Sequence, residues 1–124
     1  MRVFLSLPMK NQNVDTILKN VNILKAVAKA YFQEEETIDF SCGLEAPTPS
    51  EDVKISSMFY LGNSIKLMSE CDAILIPSPS MLEEWRGCYV EAVTAAKYGL
   101  KIHEYDVSIL DLTVEKGDLK ENVQ

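Results

Sequence analysis

The residues best placed to do chemistry fall in one stretch, CDAILIPSPSMLEEWRGCYVE over residues 71–91. An apolar run from Ala73 to Pro77 leads through a short loop into a helix-forming segment that carries Gly87 and, four positions later, Glu91. Helical side chains lean toward the helix N-terminus. A glutamate in the early turns therefore points back at the end of the strand before it. In open parallel sheets, ligands bind at that strand end. A helix N-terminus also favours negative charge, so a carboxylate held there stays ionised when partly dehydrated. Such a group suits nucleophilic attack on the anomeric carbon of a sugar. The same spacing fits an ordinary surface glutamate or a capping partner, and spacing alone leaves both readings open.

The neighbours of that pair are candidates for holding a ligand. Gly87 lets another group approach the backbone closely. Trp85 and Arg86 can stack on a base or pair with a phosphate, or serve as a helix-face tryptophan and a solvated arginine. Cys88 has no partner base in the sequence, so it is not read as a thiol nucleophile. Pro8 stops the pairing of the first strand, and Met9 offers an adaptable apolar contact to a ring. A plain strand-ending proline and a core methionine fit the same two positions. Asp72 precedes the third strand, about 16 Å from its far edge at ~3.3 Å per residue, and is read as structural. His103, the only histidine, lies inside a predicted strand, where a core or sheet-surface role fits better than catalysis.

These residues need elements to position them. Val3 to Leu7 reads as a buried strand ended by Pro8. Asn11 or Asn13 caps an amphipathic helix to about Gln33, with Val14, Ile17, Leu18, Val21, Leu24, Ala28 and Tyr31 at the helical period. Glu34 to Glu36 form a solvated acidic patch. Thr37 to Ser41 reads as a second strand, and Gly43 to Asp52 as a loop. A second helix covers Ser56 to Glu70, with Ile55, Met58, Phe59, Leu61, Ile65 and Met68 as its apolar set. Ala73 to Pro77 lacks polar alternation, as expected of a parallel strand covered on both faces. Ser80 and Glu83 have capping-box spacing. A third helix is expected from about Glu83 to Tyr98, with Ala92, Ala95 and Ala96 packed and Gly99 at C′. Lys101 to Tyr105 reads as a fourth strand, Ile109 to Val114 as a further short strand or turn, and residues 115–124 as a frayed tail.

Alternating strands and helices predict an α/β three-layer sandwich: a Rossmann-like, mostly parallel sheet of four to five strands with right-handed crossovers. The strand ends Leu7-Pro8-Met9, Ser41-Cys42-Gly43, Pro77-Ser78-Pro79 and Tyr105-Asp106 should then border one crevice. One domain over residues 1–124 accounts for the length. A net charge of −7 excludes a duplex nucleic-acid surface and an anionic membrane surface. It does not exclude one phosphate held by backbone N–H groups. Three cysteines without a CxxC pair or a histidine cluster fit reduced thiols in a cytoplasm, with no metal and no cofactor. No run of the sequence is long enough to span a bilayer.

VFLSLPM, IKLMSECDAILIP and GCYVEAVTAAKYGLKI together resemble the nucleoside 2-deoxyribosyltransferase-like superfamily, nearest a small branch from phages and bacteria. The resemblance covers about three of the four strand-helix units; residues 34–54 lie outside it. It implies a Rossmann-like sheet, a site for a nucleoside or nucleotide, and homo-oligomers in which neighbouring subunits complete the site. It also implies that Glu91 attacks the anomeric carbon. From their place at the strand ends and beside Glu91, Leu7, Pro8, Met9, Pro77, Ser78, Trp85, Arg86, Gly87 and Cys88 are the candidates to bind the substrate. The sugar then passes to another base or to water. The active pattern carries an aspartate two residues before the glycine, where this chain has Trp85. It also carries an aromatic residue near the end of strand one, where this chain has Leu7 and Pro8. Glu83 and Glu84 lie nearby, but neither is assigned as the acid/base group.

Three functions follow as expectations. The first is an N-glycosidase or deoxyribosyltransferase with Glu91 as nucleophile. The second is a non-catalytic module that sequesters a signalling nucleotide. The third is a structural subunit whose helices build an oligomer.

Overall fold

The computed structural model describes residues 1–78 and 85–112. Four strands form one parallel sheet: β1 (Arg2–Leu5), β2 (Asp39–Cys42), β3 (Ala73–Pro77) and β4 (Lys101–Tyr105). Three helices join them: α1 (Val14–Tyr31), α2 (Ser56–Met68) and α3 (Arg86–Lys97). The spatial order is β2-β1-β3-β4. The register sets Leu5 against both Cys42 and Leu75, and Pro77 against Tyr105. All four strand C-termini therefore share one edge. The α/β three-layer expectation holds, with four strands.

The direction of travel across the sheet reverses after β2. With right-handed crossovers, α1 must then cover one face and α2 and α3 the other. The burial pattern follows. Val3, Leu5, Leu7, Ala73 and Leu75 pack with Ile17, Val21, Leu24 and Ala28 of α1. Phe4, Ile74 and Ile76 pack with Met68 of α2 and Ala92 and Ala95 of α3. Because side chains alternate along a strand, Ser6 faces the same way as Phe4, toward α2 and α3.

Local signals set the helix ends. Asn13 caps α1, its Oδ1 accepting from the Thr16 amide at 2.8 Å. Asn11 instead takes a positive φ of 62°, which asparagine tolerates better than most residues. Gly99 closes α3 at φ 76°. The Leu100 amide reaches back to the Ala95 carbonyl at 2.9 Å, the six-to-one bond of a Schellman ending.

Several boundaries move. β1 ends at Leu5 and β2 starts at Asp39, while α2 stops at Met68 and α3 starts at Arg86. Val14, Leu18 and Tyr31 of α1 are exposed. They flank the buried stripe and complete the helical period. Of the three, Tyr31 reaches the sheet edge, its hydroxyl donating to the Glu104 carbonyl of β4 at 2.9 Å. Ile55 and Met58 are exposed on the outer side of α2, Met58 at 65%, and Ala96 is exposed on α3. A helix lying on a sheet buries only the side it turns inward. No strand forms over the described part of Ile109 to Val114. Residues Val107–Ile109 make a 3-10 turn. The segment after it is held by Asn20, whose amide pairs with both the N–H and the carbonyl of Asp111 at 2.8 Å each. The Ser80/Glu83 capping box and the 115–124 tail lie outside the described residues.

Candidate functional site

Glu91 is the sixth residue of α3, and its side chain turns inward to only 8% exposure. It lies where the strand order reverses, above the C-terminal ends of β1 and β3. In doubly wound sheets that reversal opens the ligand crevice. The Ser6 hydroxyl donates to Glu91 Oε1 at 2.6 Å, a charge-assisted length. The Ser64 hydroxyl of α2 is a second, weaker partner of the same carboxylate. Burial outweighs both hydroxyls and pushes the Glu91 carboxyl up to about 7. Among the described residues, no cation offsets the burial. At neutral pH the group therefore exchanges a proton readily, as an acid/base or nucleophilic carboxyl must.

The surroundings are polar but mostly uncharged. Ser6 is fixed at all three of its polar groups. Its amide donates to the Leu75 carbonyl at 2.9 Å, its carbonyl accepts from the Tyr105 phenol at 2.7 Å, and its hydroxyl holds Glu91. Burial, reinforced by Cys88 and Glu91, pushes the Tyr105 phenol up. Burial also pushes the Cys88 thiol up to about 12, against a hydrogen bond with Ser6. Cys88 is therefore a neutral wall of the site, in keeping with its lack of a base. Cys42, at the end of β2, is raised by burial, with Glu91 adding a smaller effect.

Gly43 completes the enclosure. A Cβ at residue 43 would stand 3.3 Å from Ser64 Oγ and 3.6 Å from Met9 Cε. The glycine keeps open the space that the hydroxyl and the thioether share.

The other candidates are distributed unevenly. Met9 sits at the edge of the site beside Gly43, and Cys88 sits beside Ser6 and Glu91. Leu7, Pro8 and Pro77 are buried, and Leu7 belongs to the core on the α1 side. Ser78 is half-buried at the same edge. Trp85 packs partly into the α1-side core instead of standing free as a stacking platform. Arg86 is exposed. Among the described residues, a Cβ on Gly87 would meet nothing within 4 Å, so none of them makes the close approach that Gly87 permits. Asp72 is at the opposite edge, its Oδ2 accepting from the Arg2 amide at 2.8 Å, as its structural reading requires. His103 stacks on Tyr31 and Phe32 at 5.1 and 4.8 Å, and burial lowers its pKa. Glu83 and Glu84 lie outside the described residues. Depressions of about 320 and 450 Å³ surround the end of α1, near Phe32, Glu35 and Lys101. They open at the edge away from Glu91.

Ser6 and Ser64 were not expected from the sequence, whereas Gly43 and Tyr105 were expected at the crevice as strand ends, without a role. Ser6 had a visible signal: a lone polar residue near the end of an apolar strand. Ser64 lies one turn before Met68 on the inward side of α2, where a small polar residue is unusual. Gly43 and Tyr105 lie at the strand ends expected to border the crevice. Their partners, Ser64 and Met9 for Gly43 and Ser6 for Tyr105, emerge only once the strands are aligned.

Among the described residues, no group of three His, Cys, Asp or Glu side chains is arranged to hold a metal ion. No described helix is long and apolar enough to cross a membrane. Comparison with protein-family models, curated proteins and solved structures finds no match.

Proposed function

We propose that the protein cleaves or transfers the N-glycosidic bond of a nucleoside or nucleotide, with Glu91 as the nucleophile. One observation carries this reading: a carboxyl buried at the sheet's switch point, held by hydroxyls and, among the described residues, unpaired with any cation. A structural glutamate at 8% exposure is normally matched with a positive charge, because an isolated buried carboxylate is costly. Here the partners are neutral, so the carboxylate keeps its basicity and gains reactivity on ionising. Attack on the anomeric carbon would form a glycosyl ester and release the base. Water or a second base would then displace the ester and restore the carboxylate. The resemblance to the nucleoside 2-deoxyribosyltransferase-like superfamily points to the same chemistry, and a cytoplasmic homo-oligomer is part of the proposal.

The test is base release from nucleosides and nucleotides by Glu91→Gln, followed by chromatography. The expected loss is about 10⁴-fold or more with ligand binding retained. Wild-type rates in the variant would refute the nucleophile. The direction of the pH profile is a second test. A nucleophile must be ionised, so kcat/KM should rise with pH through about 7. A fall over that range would assign Glu91 as a proton donor.

A second reading, nucleotide binding without turnover, is favoured by one fact. Among the described residues, no other carboxyl acts on Glu91 to serve as the proton source that glycoside cleavage requires. It predicts a raised melting temperature with a nucleotide and recovery of that nucleotide intact.

A further inference from the structure

Glu91 is gripped through a relay that begins two strands away. The Tyr105 phenol, 4% exposed on β4, reaches past the end of β3 and donates to the Ser6 carbonyl at 2.7 Å. Ser6 is 1% exposed. Its amide is already tied to Leu75, so the phenol fixes the one backbone group of Ser6 left over. With both backbone groups held, the Ser6 hydroxyl donates to Glu91 Oε1 at 2.6 Å and also pairs with the Cys88 thiol. We propose that Ser6 and Tyr105 are positioning residues: Tyr105 holds Ser6, and Ser6 holds the Glu91 carboxylate in the orientation it needs to react.

The proposal rests on Glu91 being the reacting group, but the grip itself is testable without turnover. A phenol placed only for packing would bury its ring as phenylalanine does, with no buried hydroxyl to satisfy. A side chain whose rotamer is fixed in advance loses less freedom on reaching the reactive geometry. Among the described residues, the other titratable groups facing the carboxylate are Cys88 on its own helix, Cys42 at the end of β2 and Tyr105 itself. All three are held neutral by burial, so none of them titrates between pH 5 and 8. From β1 and α2 the facing groups are the Ser6 and Ser64 hydroxyls.

The experiment follows Glu91 directly. The full chain is labelled with ¹³C at the glutamate carboxyls, and the Glu91 signal is assigned as the one absent from Glu91→Gln. It is then titrated without ligand in the wild type and in Ser6→Ala, Ser6→Cys and Tyr105→Phe. Losing a hydrogen bond to a charged group disfavours the charged form. The Ser6→Ala midpoint should rise by about one pH unit. Ser6→Cys, with a weaker donor of similar size, should fall between alanine and wild type. Tyr105→Phe, which removes a hydrogen bond to Ser6 and none to Glu91, should move the midpoint upward by less than Ser6→Ala.

A Tyr105→Phe protein that melts earlier but titrates as wild type would reduce the phenol to a structural bond and overturn the relay. A wild-type midpoint in Ser6→Ala would overturn the grip. Should Ser6→Ala not fold, the cysteine and phenylalanine variants decide alone. If the midpoints move as expected but the wild type releases no base, the grip stands and the glycosidic reading falls. If base is released, the rising limb of kcat/KM should shift with the midpoints while KM stays within about twofold.

Discussion

The two faces of the sheet are built differently. The α1 face is a continuous apolar contact, with Val3, Leu5, Ala73 and Leu75 against Ile17, Val21, Leu24 and Ala28. The face under α2 and α3 starts the same way, with Phe4, Ile74 and Ile76. It then gives way, at the C-terminal edge, to Ser6, Ser64 and Glu91, all buried. One face accounts for cohesion. The other gives up apolar contact where the strand order reverses and holds a charge-bearing group there at a cost to stability. Fold and site thus share one sheet and draw mainly on opposite sides of it, with Tyr105 of the α1-side core reaching across to Ser6.

The comparison predicts different responses to substitution. The largest belongs to the α1 face. Leu24 is wholly enclosed, so Leu24→Ala should cost about 3 kcal/mol at any pH in chemical unfolding, through lost burial and a cavity. A cost below about 1 kcal/mol would mean that this face is not the main source of cohesion.

Glu91→Gln sharpens the contrast because its effect depends on pH. The carboxyl moves from an ordinary 4.5 to about 7 in the folded chain. Between those values the folded state keeps a proton that the unfolded state has released. Stability linked to Glu91 is therefore complete below about pH 4.5 and falls as pH rises through about 7. Glutamine keeps an acceptor for Ser6 and carries no charge. The variant should match the wild type near pH 4.5 and exceed it at pH 8 by up to about 3 kcal/mol. Parallel pH profiles would remove the cost assigned to this face.

The smallest effect tests the polar exception on the apolar face. Asn20→Ala leaves both backbone groups of Asp111 without their side-chain partner. It should cost about 1.5 kcal/mol and speed amide exchange at Asp111 ahead of β1. Unchanged exchange there would show that residues 107–112 are held by packing alone.

Much of the architecture was legible before any coordinates. The apolar runs gave β3 and β4 their observed bounds, and Gly99 ended α3 where expected. Helix registers were less exact. Val14, Leu18, Ile55 and Met58 keep the apolar period yet face solvent, because periodicity shows a stripe without showing how wide a strip the sheet covers. In the candidate site, Glu91 was legible as a glutamate in the early turns of a helix after a buried strand. Its burial was not, because the groups that enclose it come from β1, α2 and β4.

What the sequence determined by itself was local. Apolar runs, capping residues and a closing glycine specify strands and helices through interactions spanning a few residues, and their alternation admits few folds. The tertiary structure alone decided the company of Glu91. Ser6 is 85 residues away from it along the chain, and Ser6 and Tyr105 are 99 residues apart. Such pairs meet only after the sheet order brings the strand ends to one edge. The raised proton affinity of Glu91 comes from that burial, so it is a property of the assembled edge and not of the glutamate itself.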